Sequence, residues 1–221
     1  MKKYSFILIL FFAVKTIHAQ TINWAALSKD NKHLLYLHTG AEYGMVLGAG
    51  YGYHLKGKLF PAVMDIEYSF PLGNQLFDDF KAKTGAQLRW IQLNHFQFST
   101  RIQGVFRRYE SNVVRLLNFG SDLAGTIGYY RSKWFVAGEL GFDKAIVTHF
   151  KHSQSYKDQY PNVVDGWFEP TTGGNFYYGL QTGFSGEKFD AHLKAGKLLA
   201  EDFKTKPLLP VYAEIGCTLK F

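Results

Sequence analysis

Every second residue of VYAEIGCTLKF (211–221) is apolar: Val211, Ala213, Ile215, Cys217, Leu219 and Phe221. Tyr212, Glu214, Gly216, Thr218 and Lys220 alternate with them. A period of two describes a strand with one greasy face and one wet face. The pattern recurs along the chain. In 41–55, Tyr43, Met45, Leu47, Ala49, Tyr51 and Tyr53 oppose Glu42, Gly44, Gly48, Gly50, Gly52 and His54. In 60–70, Phe60, Ala62, Met64, Ile66, Tyr68 and Phe70 oppose Asp65, Glu67 and Ser69. Further segments are 86–90 (Leu88 and Trp90 against Gln87 and Arg89), 96–106 (Phe96, Phe98, Ile102 and Phe106 against Gln97, Ser99, Arg101 and Gln103) and 122–130 (Leu123, Ile127 and Tyr129). The remainder are 134–143 (Trp134, Val136, Leu140 and Phe142 against Glu139 and Asp143), 175–184 (Phe176, Tyr178, Leu180 and Phe184) and 189–196 (Phe189, Ala191, Leu193 and Ala195 against Asp190, His192 and Lys194).

Half-buried strands of this kind fit a soluble sandwich or a membrane barrel, and two features favour the barrel. No apolar face named above holds a charge, which at a bilayer midplane would cost ~2–4 kcal/mol. Aromatic residues also sit at the ends of these faces, with smaller groups such as Met64, Ile102 and Val136 between them. That is the distribution of two interfacial girdles. The expected fold is all-β: a transmembrane, antiparallel, up-and-down β-barrel.

Connection lengths give its orientation. Short turns are expected at 56–58, 93–94, 132–133 and 185–188, and long loops at 71–84, 107–121, 147–174 and 197–209. In outer-membrane barrels the short turns are periplasmic and the longer loops external. With both termini at the short-turn end, an ascending strand must precede Ala41. Residues 31–40 are the candidate, which makes ten strands; eight is the alternative if weaker segments fail. Residues 20–40 are either that first strand or a luminal plug, and 41–221 the barrel.

The N-terminus supplies the route. Lys2 and Lys3 precede an apolar run over 4–14, and a small-residue site ends at Ala19, so 1–19 reads as a cleaved signal peptide. Removing it takes three lysines and lowers the formal charge from +7 to about +4. The remaining cations are scattered, which gives no case for nucleic acid. A single cysteine, Cys217, excludes an internal disulfide. No metal-ligand spacing or cofactor motif is present in the sequence.

With its His18-Ala19-Gln20 signal end, repeated hairpins and terminal Phe221, the chain resembles the small outer-membrane β-barrel proteins of Gram-negative bacteria. The signal end is similar to those common in the Bacteroidota. The resemblance implies location in the cell outer membrane, contact with its lipid, and delivery to the barrel-assembly machinery through the C-terminal strand ending at Phe221. It implies no particular activity.

Three functional classes stay open: a structural or binding barrel, a small pore, and an outer-membrane hydrolase. Asp190 and His192 have the Asp-x-His spacing of half the catalytic set in omptins, which are outer-membrane proteases. They lie beside the short turn at 185–188, though, and no clear paired-acid half accompanies them. His149, His152, Ser153 and Ser155 offer a weak case for acyl transfer in a lipid-modifying enzyme. The segment 148–174 carries Tyr156, Tyr160, Trp167 and Phe168, as contact anchors for a protein or ligand or as a lid packed on the rim. The inward set is mixed in sign: Asp65, Glu67, Glu139, Asp143, Asp190 and Glu214 against Arg89, Arg101, Lys194 and Lys220, with His192. A narrow lumen must pair such charges, whereas a selective pore lines itself with one sign.

Overall fold

The computed structural model describes residues 22–28, 30–57, 60–72, 78–170 and 173–221, so the expected signal peptide at 1–19 lies outside the described residues. Ten antiparallel strands close into a barrel. They are β1 (His33–Ala41), β2 (Met45–Leu55), β3 (Ala62–Pro71), β4 (Asp79–Leu93), β5 (Phe96–Glu110), β6 (Val114–Tyr130), β7 (Trp134–His152), β9 (Gly174–Ser185), β10 (Phe189–Ala200) and β11 (Val211–Lys220). Between β7 and β9 lie a six-residue helix, α1 (Gln154–Gln159), and a short strand, β8 (Gly166–Phe168), on the upper part of β7. Neighbours in the chain pair in order, β7 pairs with β9, and β11 closes on β1 from Leu34↔Lys220 to Ala41↔Ala213.

The alternation places side chains as period two requires. Along β2, Val46, Gly52 and His54 are buried in the lumen while Met45, Tyr51, Tyr53 and Leu55 face out. Apolar groups cover the exterior, with Leu180 68% and Phe184 75% exposed. An apolar surface of this extent is stable only against lipid. No outward residue of β1–β3 from Leu35 to Phe70 is charged. Outward hydroxyls are satisfied locally: Thr39, Thr84 and Thr182 donate to the carbonyls of Val46, Asp65 and Phe135 at 2.9, 3.2 and 2.8 Å. In hydrocarbon an unbonded hydroxyl has no water to turn to.

Two aromatic rings bound this band. At the end carrying Phe221, Phe60 meets Trp90 at 5.0 Å, Phe96 meets Tyr129 at 5.3 Å, Tyr129 meets Trp134 at 5.6 Å, and His33 stacks on Phe221 at 5.5 Å. At the other end Tyr68, Phe80, Phe106 and Phe119 form a chain with centroids 5.1, 5.8 and 4.9 Å apart, and Phe142 meets Phe176 at 4.5 Å. From Phe96 to Phe106, at about 3.4 Å per residue and a tilt of about 40°, the strand spans roughly 25 Å, the height of a transmembrane apolar band.

The connections differ from the expectation in one respect. Much of 71–84, nearly all of 107–121 and the start of 147–174 are strand, not loop; β5 and β6 are joined through 111–113 alone. β1–β2 is also closed by a short turn at 42–44. Above the upper aromatic ring both faces of a strand are wet, so alternation stops at Arg107-Arg108-Tyr109-Glu110 although the hydrogen-bond ladder continues. The result is lopsided. β5, β6 and β7 run for 15, 17 and 19 residues against 9, 11 and 10 for β1, β2 and β3, so one wall stands above the rest.

Candidate functional site in the lumen

At the terminal end the lumen is filled by residues 22–27. Ile22 and Trp24 pack against Leu34 and Tyr36 of β1 and Val63 of β3, while Ala25 packs under Tyr130, Phe135 and Ala137. Asn23, fully buried, donates to the Arg131 carbonyl at 2.8 Å and to Ser185 Oγ at 2.9 Å. Lys220 donates to the Ala26 and Gly186 carbonyls and to Asp190 at 2.8 Å, pinning the plug to β10 and β11. The segment 20–40 thus divides: its first described part is plug and its last part is strand β1.

A layer of ion pairs follows at mid-barrel. Arg101 donates to Tyr177 Oη at 3.0 Å and lies 3.4 Å from Asp122, which also accepts from Tyr177 at 2.6 Å. Lys83 stands 3.9 Å from both Asp122 and Glu67. His38 bridges Glu67 and Glu214 at 3.5 and 3.3 Å, and Lys194 joins Glu214 and Glu139 at 3.7 and 3.8 Å. Glycine makes room for this layer. A Cβ on Gly48 would stand 1.8 Å from His38 Nε2, and one on Gly50 2.1 Å from Tyr36, so the space over β2 belongs to β1's side chains.

Above the layer is a cavity of about 180 Å³. Its charged lining balances, with Lys81, Lys83, Arg101, Arg107 and Lys194 against Glu42, Asp122, Glu139, Asp143 and Glu214. Glu42, in the β1–β2 turn, accepts from Lys81 at 2.9 Å and Lys83 at 3.3 Å. Burial opposes its ionisation, but the two ammonium groups outweigh it and hold the carboxyl well below the usual range. At the mouth, Arg107 sits over the Tyr43 ring at 4.3 Å and pairs with Asp79 at 2.9 Å. A wider recess of about 500 Å³ continues upward along Val105, Tyr109, Leu116 and Phe150 of the raised wall, sharing Lys81, Arg107, Asp143 and Asn175 with the cavity.

The inward set expected from the sequence is distributed along this axis. Glu67, Arg101, Glu139, Lys194 and Glu214 meet in the ion-pair layer, and Asp143 lies 3.6 Å from Lys81 at the mouth. Asp65 accepts from Gln103 at 2.7 Å. Arg89 stands lower, its guanidinium 5.8 Å over Trp24. Asp190 is turned to Lys220, and His192 is buried lower on β10, between Gly183 and Gly216 of the neighbouring strands. The inward set named from the sequence left out His38, Lys81, Lys83 and Asp122, and also Glu42, although the alternation of 41–55 had put Glu42 on the polar face. Stepping back in twos from Arg89 and Gln87 reaches Lys83, Lys81 and Asp79, so the face was there to extend.

The four aromatic anchors do not share one surface. Trp167 lies on the outer side, 5.9 Å from Phe119 and 4.8 Å from His149, and extends the upper aromatic ring. Phe168 meets Phe150 at 5.5 Å and lines an apolar recess with Val164 and Pro170. Tyr156 stacks on His152 at 5.4 Å and touches Tyr160 at 4.9 Å. Asp165 ties the segment together by accepting from His152 N and Nδ1 at 2.9 Å each and from Lys157 at 2.5 Å. Hydrogen bonds from the His152 amide and then from Lys157 hold its pKa far below the ordinary carboxylate value.

No family model and no curated protein matches this chain. Among solved structures, a chain from "Unveiling the Mechanism Behind the in-meso Crystallization of Membrane Proteins" is similar over 86% of this chain and 83% of its own, at 8% identity and a TM-score of 0.36. A triple mutant of the Rh. blastica porin is similar over 86% of this chain and 99% of its own, at 6% identity and a TM-score of 0.20.

Proposed function

We propose that this protein is a closed, non-conducting barrel of the Gram-negative outer membrane, with a binding role exerted from its loop end. The observation that carries this reading is the filled lumen, where a plug and a charge-balanced ion-pair layer lie in series. In this reading residues 1–19 are removed on export, Phe221 ends in the periplasm as the assembly signal, and 153–170 faces the cell exterior. Tyr160 and Phe168, both strongly exposed, serve there as anchors for a protein partner, on a segment that Asp165 and the Ser153 N-cap hold in shape. Trp167 belongs to the lipid boundary instead.

The purified protein in planar bilayers is expected to show no steady conductance, and a tag inserted at Gln159 to be labelled on intact cells while one at Gly186 requires permeabilisation. Large ohmic channels would overturn the closed lumen and install the pore reading. Inverse labelling would overturn the orientation.

A further inference from the structure

We infer that the outer face of β9–β11, beneath the loop at 201–210, is a binding site for one phosphate-bearing membrane lipid of net negative charge. The feature that points there is a cation on the lipid side. Outward positions along β10 are Phe189, Ala191, Leu193, Ala195, Lys197 and Leu199. Lys197 is exposed and pairs in register with Tyr178 of β9 and Val211 of β11, which also face out at 44% and 52% exposure. Among the described residues it is the only charged outward side chain between the two aromatic rings. Leu199, two positions on, pairs with Phe176 of the upper ring. At ~3.4 Å per residue and a tilt of ~40°, Lys197 therefore starts about 5 Å beneath that ring. A charge on the lipid face is tolerated only close to the interface, and a lysine so placed runs its four-carbon stem upward to bring the ammonium to headgroup level.

The loop above carries two more cations and offers no acid to balance them. Phe203 stacks on Phe176 at 5.2 Å, and the Leu198 amide donates to the Pro210 carbonyl at 2.9 Å, so both ends of the segment are fastened at the rim over Lys197. Phe203 sits there in the left-handed region, at φ 54°, a conformation a non-glycine residue keeps only where its surroundings impose it. Between the two fastenings Lys204 and Lys206 are exposed. The carboxylates of the segment are engaged elsewhere. Glu201 accepts from Lys144 at 2.6 Å, and Asp202 accepts from the amides of Lys204 and Thr205 at 2.9 Å each and from the Thr205 hydroxyl at 2.6 Å. Among the described residues none of Lys197, Lys204 and Lys206 enters an ion pair. Three such cations beside a lipid-facing strand favour an anion at headgroup depth, and phosphate is the one that ammonium groups bind well. The occupant is a lipid and not a dissolved ion, because Lys197 starts below the ring, where its neighbours Ala195, Tyr178 and Val211 receive an acyl chain. A phosphate joined to that chain is delivered to the ammonium from the bilayer side.

This site depends on the transmembrane fold and not on the closed lumen or the anchors at 153–170, so it stands or falls separately from them. The test is native mass spectrometry of the full chain folded in an uncharged detergent and titrated with dioleoylphosphatidylglycerol. Dioleoylphosphatidylcholine and inorganic phosphate, as its ammonium salt, are the comparisons. One phosphatidylglycerol is expected to bind about tenfold or more tightly than phosphatidylcholine, with no uptake of inorganic phosphate. At about 1 kcal/mol for each lysine near a membrane surface, Lys197→Gln should weaken phosphatidylglycerol about fivefold, and Lys197→Arg should retain it. Lys197→Gln/Lys204→Gln/Lys206→Gln should abolish the preference. Removing the same charge at the opposite end, with Lys56→Gln/Lys133→Gln/Lys188→Gln, should leave it intact. All variants are checked for folding by the gel shift between unheated and boiled samples. Equal affinity for the two lipids, uptake of inorganic phosphate in place of lipid, a preference unchanged by Lys197→Gln or by the triple variant, or an equal loss in the opposite-end variant would each overturn the inference.

Discussion

Arg101→Ala removes a guanidinium from the middle of the lumen without touching the lipid-facing surface. In the intact protein it stands 3.4 Å from Asp122 and 3.0 Å from the Tyr177 hydroxyl, and all three groups are buried. Breaking a buried pair by removing one partner costs about 3–5 kcal/mol, because the other charge is left uncompensated. Asp122 would retain the Tyr177 hydrogen bond at 2.6 Å and Lys83 at 3.9 Å, and the adjoining cavity admits water. The cost therefore falls near the low end, about 3 kcal/mol. With a urea slope of about 2 kcal/mol/M this lowers the unfolding midpoint by about 1.5 M. Lys151→Ala, at an exposed position on the raised wall, should stay within about 0.5 kcal/mol, or less than about 0.3 M. Both are measured by tryptophan fluorescence and gel mobility on protein refolded in micelles. Adding Asp122→Ala to Arg101→Ala should recover part of the loss, since no orphan charge then remains. Equal midpoints for Arg101→Ala and Lys151→Ala would refute the paired-lumen argument.

Three other perturbations probe separate parts of the molecule. Gly48→Ala should cost about 1–3 kcal/mol by overpacking, because the new methyl meets a His38 ring held between Glu67 and Glu214; unchanged stability in urea would show that the ring is free to move. Trp24→Ala should cost about 3–5 kcal/mol through loss of its contacts with Ile22, Tyr36 and Val63, and a wild-type midpoint would mean that the plug is not docked in solution. Asp165 titrates lower in the folded chain than in the unfolded one, so its contribution is whole above about pH 4 and is lost as pH falls towards the folded value. Cleavage within 153–170 by an acid-active protease should stay constant from about pH 7 to 5 and accelerate below about pH 4, whereas Asp165→Asn should be cut readily at neutral pH, with the barrel's gel shift retained.

What the chain displays plainly is what lipid imposes on each strand independently. Leu35, Tyr51, Met64, Ile102, Leu123, Leu140, Leu180, Leu193 and Ile215 each obey a one-body rule, apolar at every second position, and no knowledge of neighbours is needed to read it. The ladder above the membrane was hidden for the same reason in reverse: at Arg107–Glu110 and Arg115–Asn118 backbone pairing persists, but no solvent contrast between the two faces remains to mark it. The lumen obeys a pairwise rule instead. Arg101 finds Tyr177 76 residues away, Lys220 finds Asp190 30 away, and His38 bridges Glu67 and Glu214 on two different strands. Those partnerships depend on strand register and on the order of strands around the ring, neither of which period two contains. The signs of the inward residues could be read but not their pairings, and Asp190-Ala191-His192 shows the consequence. Its spacing puts both side chains on one face, and yet the carboxylate goes to Lys220, because β11 pairs with β10 in a register that sets Thr218 opposite Asp190 and brings Lys220 within 2.8 Å. Chemistry inside a barrel is decided by which strand comes next to which, so a motif on a single strand is weak evidence of a site until its cross-strand neighbours are known.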